Sequence, residues 1–97
     1  MIKVNKNENI ITISGHANSG EYGKDIVCAS VSSMVYLTVN ALNRINEKSI
    51  DFEDNGIMKI KVLSSDEITT VLIDNLMEHL KSLEKDYPKN LNVKESN

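Results

Sequence analysis

The chain reads DIVCASVSSMVYLTVNALNRIN from residue 25 to residue 46, a stretch with neither glycine nor proline. Its many β-branched residues suit a strand as well as a helix. About twenty uninterrupted residues are too many for a common strand, so the stretch predicts a helix with Asp25 at its N-cap. Its apolar residues occupy more than one stripe, which predicts cover on two sides, by a sheet and by something else such as a second subunit.

Alternating apolar residues predict two strand pairs around this helix. The alternation covers residues 2–4 and 11–13, and the polar run 5–9 suits the hairpin connection between them. After the helix, Asn55-Gly56 predicts a type I′ turn, because both positions of that turn need a positive φ. The second strand pair therefore flanks Asn55-Gly56.

A second helix is predicted after the second hairpin. Ser64 and Glu67 fit a capping box that starts it, and Pro88 ends it. Residues 91–93 are expected to add a short C-terminal edge strand, and residues 94–97 are expected to fray. The apolar stripe of this helix is predicted to consist of Ile68, Leu72, Leu76, Leu80, Leu83 and Tyr87.

The order of elements is hairpin–helix, repeated once, which predicts an α+β fold. Two such units form one mixed sheet packed with two long helices, on one or both faces. The chain has 97 residues and a mass of 10.8 kDa, the size of one domain. Residues 1–97 are therefore expected to form a single domain.

Charge and composition argue mainly by exclusion. The net charge is −3 with no basic run, so neither direct nucleic-acid binding nor a polybasic membrane contact is expected. Residues 1–6 do not resemble a signal peptide, and no stretch is expected to come close to the ~20 apolar residues of a membrane span. A single cysteine excludes an intrachain disulfide. The expected compartment is the reducing cytoplasm.

Cys28 and His16 are the candidate reactive residues. They lie on either side of a glycine-rich segment, about residues 15–24, that predicts a flexible loop. With Asp25 as N-cap, Cys28 is the third helical residue, where the helix dipole favours a thiolate, and a nearby histidine would favour it further. The alternative is that Cys28 is a small buried hydrophobe.

A zinc site formed by Cys28, His16 and His79 is not expected, because it lacks paired ligand spacing and a fourth ligand. His79 itself is expected to be a partly buried packing residue.

A two-part motif adds a resemblance to a known family. Gly15-His16-Ala17, then Gly23, then Asp25-Ile26-Val27-Cys28-Ala29 and Ser32 resemble the bacterial ribosomal-processing cysteine protease Prp family. The order of elements is also similar, so the resemblance covers essentially the whole domain.

The resemblance implies a cysteine endopeptidase that acts in ribosome maturation. Its members remove an N-terminal extension from large-subunit ribosomal protein twenty-seven, cutting after an aromatic residue. By the same resemblance Cys28 is the nucleophile, His16 is the general base and acid, and a thioester acyl-enzyme forms. A homodimer with no metal or organic cofactor is expected.

Supporting roles follow from the same resemblance, and alternatives stay open. Asp25 orients His16 or only caps the helix; Ser32 hydrogen-bonds a catalytic group, lines the cleft or only permits close packing. Ser30 is expected to affect packing alone, because it points about 200° away from Cys28. The loop expected to cover the peptide and to order on binding consists of Ala17, Asn18, Ser19, Gly20, Glu21, Tyr22 and Gly23.

A non-enzymatic function is the alternative. The chain would then be a non-catalytic dimeric module, ribosome-associated or redox-sensing, in which Cys28 packs or is oxidised.

Overall fold

The computed structural model describes residues 1–15 and 26–96. Within them a five-stranded sheet packs against two helices, which confirms the α+β fold. The sheet order is β3-β4-β2-β1-β5. The elements are β1 (Ile2–Asn7), β2 (Ile10–Ser14), α1 (Ile26–Ile45), β3 (Ile50–Asp54), β4 (Met58–Val62), α2 (Glu67–Asp86) and β5 (Leu91–Ser96).

The sheet is mixed and has one apolar face. β2 pairs antiparallel with both β1 and β4, β3 pairs antiparallel with β4, and β5 pairs parallel with β1. The register places Val4 beside Ile13 and Ile13 beside Met58, and all three are fully buried. The intervening residues Lys3 and Lys59 are exposed. Because the buried residues of both helices join the same core cluster, α1 and α2 cover the same face of the sheet.

The predicted α1 helix is confirmed, and its two sides differ. One side faces the core through Val27, Val31, Val35, Val39 and Leu42. The other side carries exposed apolar residues, with Leu37 at 74% exposure. The predicted cover by the sheet is therefore present, whereas cover of the second side stays a prediction.

One expectation about α1 needs correction. By length and composition this helix is apolar enough to cross a membrane, contrary to the expectation that no stretch comes close. A single such helix is weak evidence, because the core helix of a soluble protein passes the same test.

The predicted stripe of α2 is partly wrong. Leu76 and Leu80 are buried as expected, but the buried face continues through Thr69, Ile73 and Met77. Ile68 is exposed, because eight residues at about 100° each place it about 80° from Leu76, away from that buried face. Tyr87 is exposed because it is the C-cap, beyond the last helical turn.

The capping box is also corrected. Asp66, not Ser64, is the N-cap of α2, and its Oδ1 accepts a hydrogen bond of 2.7 Å from the backbone N–H of Thr69. Ser64 Oγ donates to Asp66 Oδ2 at 2.5 Å. Glu67 is the first helical residue instead of the third. A side chain two residues farther along thus performs the capping role that Ser64 was expected to perform.

Helix capping by Asp66 predicts a pH-dependent contribution to stability. Hydrogen bonds from Ser64 and then from Thr69 hold the pKa of Asp66 below its usual range. A carboxyl whose folded pKa is depressed stabilises the fold above its unfolded pKa of about 4, and this contribution is lost as pH falls through the folded value. The urea midpoint of the wild type should therefore drop more between pH 7 and pH 3 than that of Asp66→Asn, which keeps the acceptor but does not titrate. Equal drops would contradict this assignment.

Both hairpins are present, but their turns differ from the predictions. Strand β1 continues through Asn7, so the first turn is Glu8-Asn9, and Glu8 has a φ of 55°. In the second hairpin Gly56 has a φ of 103°, whereas Asn55 does not have the positive φ that a type I′ turn requires. Because Asp54 pairs with Met58, three residues form the loop.

Strand β5 is longer than predicted. Residues 94–96, which were expected to fray, pair with β1 up to Asn7↔Ser96. Helix α2 holds this edge strand by two contacts. Glu84 Oε2 accepts a 2.8 Å hydrogen bond from the backbone N–H of Val93, and Lys81 Nζ lies 2.5 Å from Glu95 Oε1. Lys81 lowers the pKa of Glu95, and these contacts explain why the tail is ordered.

Candidate active site

Cys28 is the third residue of α1, as predicted from the sequence. Its side chain is half-buried and packs against the edge of the core cluster. Val31, three residues farther along the helix, is fully buried. The cysteine thus lies where the buried face of α1 reaches the N-terminal end of the helix. A half-buried thiol at that position is within reach of a reagent or a peptide, whereas a fully buried one is not.

The start of α1 favours negative charge. The backbone N–H groups of a first helical turn point toward the N-terminal end of the helix, where the helix dipole is positive. No acidic side chain lies within the first turn of α1, so no carboxylate inside the helix offsets that dipole. The dipole stabilises an adjacent anion by about 0.3–1 kcal/mol. The start of α1 therefore favours an oxyanion that forms beside Cys28.

Gly15 marks where the chain leaves the sheet toward the candidate loop. It directly follows β2 and has a φ of +86°, a conformation that L side chains rarely adopt. A Cβ built on it would lie 2.3 Å from the backbone carbonyl oxygen of Met1. Real Cβ atoms essentially never approach another atom so closely. The first glycine of the Gly-His-Ala motif is therefore required by the backbone at the start of β1.

Most of the other predicted site residues lie outside the described residues. His16 and Asp25 belong to this group, so the His16–Cys28 pair and the Asp25 cap stay predictions. The same holds for the loop residues Ala17, Asn18, Ser19, Gly20, Glu21, Tyr22 and Gly23.

Ser30 and Ser32 follow Cys28 on α1 and differ in their surroundings. Ser30 Oγ donates a 2.8 Å hydrogen bond to the backbone carbonyl of Ile26, which fits its expected local role. Ser32 lies about one turn after Cys28 and is half-buried. Its position on the helix agrees with the prediction, and its role stays a prediction.

The structure describes the surroundings of His79 and the grouping of side chains that could bind a metal. His79 is exposed on α2, contrary to the expectation of partial burial, and its Nδ1 lies 2.9 Å from the carbonyl oxygen of Asn75. Across residues 1–15 and 26–96, no three His, Cys, Asp or Glu residues come together in a group that could hold a metal ion.

One contact near the site has no counterpart in the sequence predictions. Tyr36 on α1 donates a 2.5 Å hydrogen bond from its hydroxyl to Asp54 Oδ2 at the end of β3. The ring of Tyr36 also meets that of Phe52 edge-on, with centroids 5.3 Å apart. The bond to the Asp54 carboxylate raises the pKa of Tyr36. No local pattern predicts this contact, because its partners are 18 residues apart in the sequence.

Comparisons with known proteins agree with this geometry. A family model described as "Cysteine protease Prp" matches residues 1–92. The ribosomal processing cysteine protease Prp of Bacillus subtilis is 34% identical over 89 residues, covering 84% of this chain and 80% of that protein. The Mycoplasma genitalium protein of the same name is 28% identical and covers 98% of this chain and 96% of its own length.

Solved structures share the fold. A Streptococcus mutans protein matches with a TM-score of 0.81 and 28% identity, covering 97% of this chain and 90% of that one. Staphylococcus aureus Prp, crystallised with a substrate peptide, matches with a TM-score of 0.83 and 23% identity, covering 98% and 97%. At that identity the second likeness shows the fold.

Proposed function

Because this chain belongs to the cysteine protease Prp family, we propose that it is the protease that processes a ribosomal protein in its own cell. Its substrate is the precursor of large-subunit ribosomal protein twenty-seven, from which it removes the N-terminal extension by cutting after an aromatic residue. It works in the cytoplasm as a homodimer, without contacting nucleic acid or membrane. The exposed apolar side of α1, which includes Leu37, is consistent with such a dimer.

The position of Cys28 is the observation that carries this proposal. A half-buried thiol in the first turn of a helix combines access with a field that favours the thiolate. The thiolate is the nucleophilic form of cysteine. Gly15, at the other end of the loop, adds support because its backbone conformation explains why the motif begins with glycine.

The proposed reaction proceeds in two steps. Cys28 Sγ attacks the scissile carbonyl carbon, and N–H groups at the start of α1 stabilise the resulting oxyanion. The C–N bond then breaks, His16 gives its proton to the leaving amine, and a thioester remains. In the second step His16 takes a proton from water, the hydroxide attacks the thioester carbonyl, and the C–S bond breaks. The carboxylic acid that forms gives its proton to solvent and leaves as a carboxylate, and the thiolate and the protonated imidazole are restored.

Cleavage of the precursor tests the proposed substrate. We expect the wild type to shorten the purified precursor at one aromatic–small junction near its N-terminus, with the new N-terminus read by mass spectrometry. A precursor in which the aromatic residue at that junction is changed to glycine is the matched control and should remain intact. If the wild type leaves the precursor whole while cleaving another protein, the proposed substrate is wrong and the family activity stands.

A further inference from the structure

We propose that the β3–β4 turn, residues 55–57, is a wall of the peptide-binding cleft, in which Ile57 contacts an apolar side chain of the substrate and the Tyr36–Asp54 hydrogen bond holds the turn in place. Ile57 is then a specificity residue, and Tyr36 is a positioning residue. The inference rests on the proposed role of Cys28 as nucleophile.

The first step is the relative direction of α1 and β3. Only residues 46–49 join the end of α1 to the start of β3, and Tyr36, near the middle of α1, contacts Phe52 and Asp54. Residue numbers therefore fall along α1 while they rise along β3. Continuing β3 past Asp54 leads toward the first turns of α1, where Cys28 lies.

The second step is distance. Tyr36 and Cys28 are eight residues apart, which is about 12 Å along a helix axis. Asp54 pairs with Met58, so Ile57, directly before Met58, lies within about 4 Å of the level of Asp54 along the strands. A turn anchored at the level of Tyr36 therefore leaves about 8 Å of the interval to Cys28. An extended chain rises about 3.3 Å per residue, so a substrate residue two or three positions from the scissile bond lies about 7–10 Å from the sulfur and can contact Ile57.

The third step is the position of the turn in the sheet. Ile13 pairs with Met58, so Ile57 and Ser14 follow at the same end of two neighbouring strands. Ser14 ends β2, immediately before Gly15 and the segment that carries His16. The turn therefore shares one end of the sheet with the entry to the candidate loop.

The fourth step is the contrast between a fixed backbone and an exposed side chain. Asp54 accepts from Tyr36 through Oδ2 and from the backbone N–H of Gly56 through Oδ1, at 2.5 Å and 3.2 Å. These bonds hold the turn from both sides of the carboxylate. Ile57 nevertheless remains 51% exposed. A large apolar side chain on an anchored turn at this end of the sheet suits a peptide side chain, because burying it on binding is favourable.

Labelling of Cys28 by a peptide reagent tests Ile57. The probe is Ala-Ala-Phe chloromethyl ketone, which forms a Cys28 S–C bond and releases chloride; its second-order rate is compared with that of iodoacetamide. We expect Ile57→Ala to lower the rate with the ketone about tenfold, as loss of apolar contact does, and to leave the iodoacetamide rate within about twofold. Leu63→Ala is the matched control. Leu63 is 54% exposed and follows the other end of β4, so both rates should remain at the wild-type values.

Tyr36 and Asp54 are tested as positioning residues with the same pair of probes. Tyr36→Phe keeps the edge-on ring contact with Phe52 but removes the hydroxyl, and it should lower the ketone rate about threefold at an unchanged iodoacetamide rate. Asp54→Asn keeps an oxygen that accepts from the Gly56 N–H, and its amide NH2 can donate to the Tyr36 hydroxyl oxygen, so both contacts remain and the wild-type ratio should be retained. Asp54→Ala removes both contacts and should lower the ketone rate. A merely structural role would lower the melting temperature and leave this ratio unchanged.

The outcomes separate the inference from the proposed nucleophile. A wild type that neither reagent labels at Cys28 overturns the nucleophile and the inference together. A labelled wild type with the same ratio of rates in Ile57→Ala overturns the inference alone. A loss in Leu63→Ala as large as that in Ile57→Ala also overturns it, because the effect would not depend on the turn.

Discussion

The Cys28→Ala variant should lose peptide cleavage almost completely, with kcat lower by about a thousandfold or more, the scale seen when a nucleophile is removed from an enzyme. Without the sulfur no thioester can form, and a neighbouring serine hydroxyl is a much weaker nucleophile than a thiolate. Cys28→Ser should be nearly as inactive, because a hydroxyl at this position remains protonated. The measurement is single-turnover cleavage of the precursor peptide.

The fold should survive these changes, which makes the loss of activity interpretable. Cys28 is half-buried at the edge of the core, and alanine has the higher helix propensity. The melting temperature should therefore stay within a few degrees of the wild type, as for small changes outside the deep core. Ser30→Ala is the control, because Ser30 Oγ donates to the Ile26 carbonyl and Ser30 points about 200° away from Cys28 around the helix. It should keep full activity.

Alkylation separates the enzyme from the non-catalytic alternative. An accessible nucleophilic cysteine at the helix start reacts with iodoacetamide in the folded protein. A packing cysteine resists until the protein unfolds. Retained cleavage in Cys28→Ala, or alkylation seen only in urea, would favour the dimeric module over the protease.

The Gly15→Ala variant should lose both stability and activity. The added Cβ would meet the Met1 carbonyl oxygen at 2.3 Å, and φ is +86°. Replacing glycine stabilises by about 0.4–1 kcal/mol through the unfolded chain. Strain of about 1–3 kcal/mol outweighs that gain, because a backbone oxygen cannot move without displacing β1. Since His16 is the next residue, we also expect kcat/KM to fall by about a hundredfold, the effect of a displacement of about 1 Å.

Gly56→Ala is the matched control for stability. Its φ is +103°, but a Cβ there would meet no atom within 4 Å. Only the backbone conformation is then unfavourable, at about 1 kcal/mol. Urea unfolding of both variants should show the larger loss in Gly15→Ala, and the difference measures the contact with Met1. Equal losses of stability would mean that the Met1 backbone moves aside at little cost and that Gly15 is not needed for the backbone path from β2 into the loop.

How much the sequence predicts depends on the distance between the partners involved. The α1 helix and both hairpins were predicted, because their signals are the spacing of apolar residues and the glycines of turns. The position of Cys28 in the first turn of α1 was predicted from the same kind of local signal, the start of the uninterrupted helical stretch. The cap of α2 was misplaced by two residues, since Ser64 and Asp66 are both good caps and their mutual hydrogen bond decides between them.

Contacts between distant segments were not predictable. The predicted apolar stripe of α2 relies mainly on the spacing of its leucines. In the structure, packing against the sheet and α1 buries a face that also includes Thr69, Ile73 and Met77. The prediction of a type I′ turn is wrong because that turn has a two-residue loop, whereas the Asp54–Met58 pairing leaves three residues for the loop. The extent of β5 depends on side chains from α2, which no pattern in residues 91–96 reveals.

By itself, the amino-acid sequence determined the elements, their order and the two-part motif around His16 and Cys28, because helix periodicity, strand alternation and turn chemistry act between residues close in the chain. Only the tertiary structure decided that both helices share one face of the sheet, that Gly15 lies against Met1, and that Tyr36 holds Asp54. Those three facts depend on atoms brought together across long stretches of chain, where the packing of the whole core selects one arrangement among many that the local pattern permits.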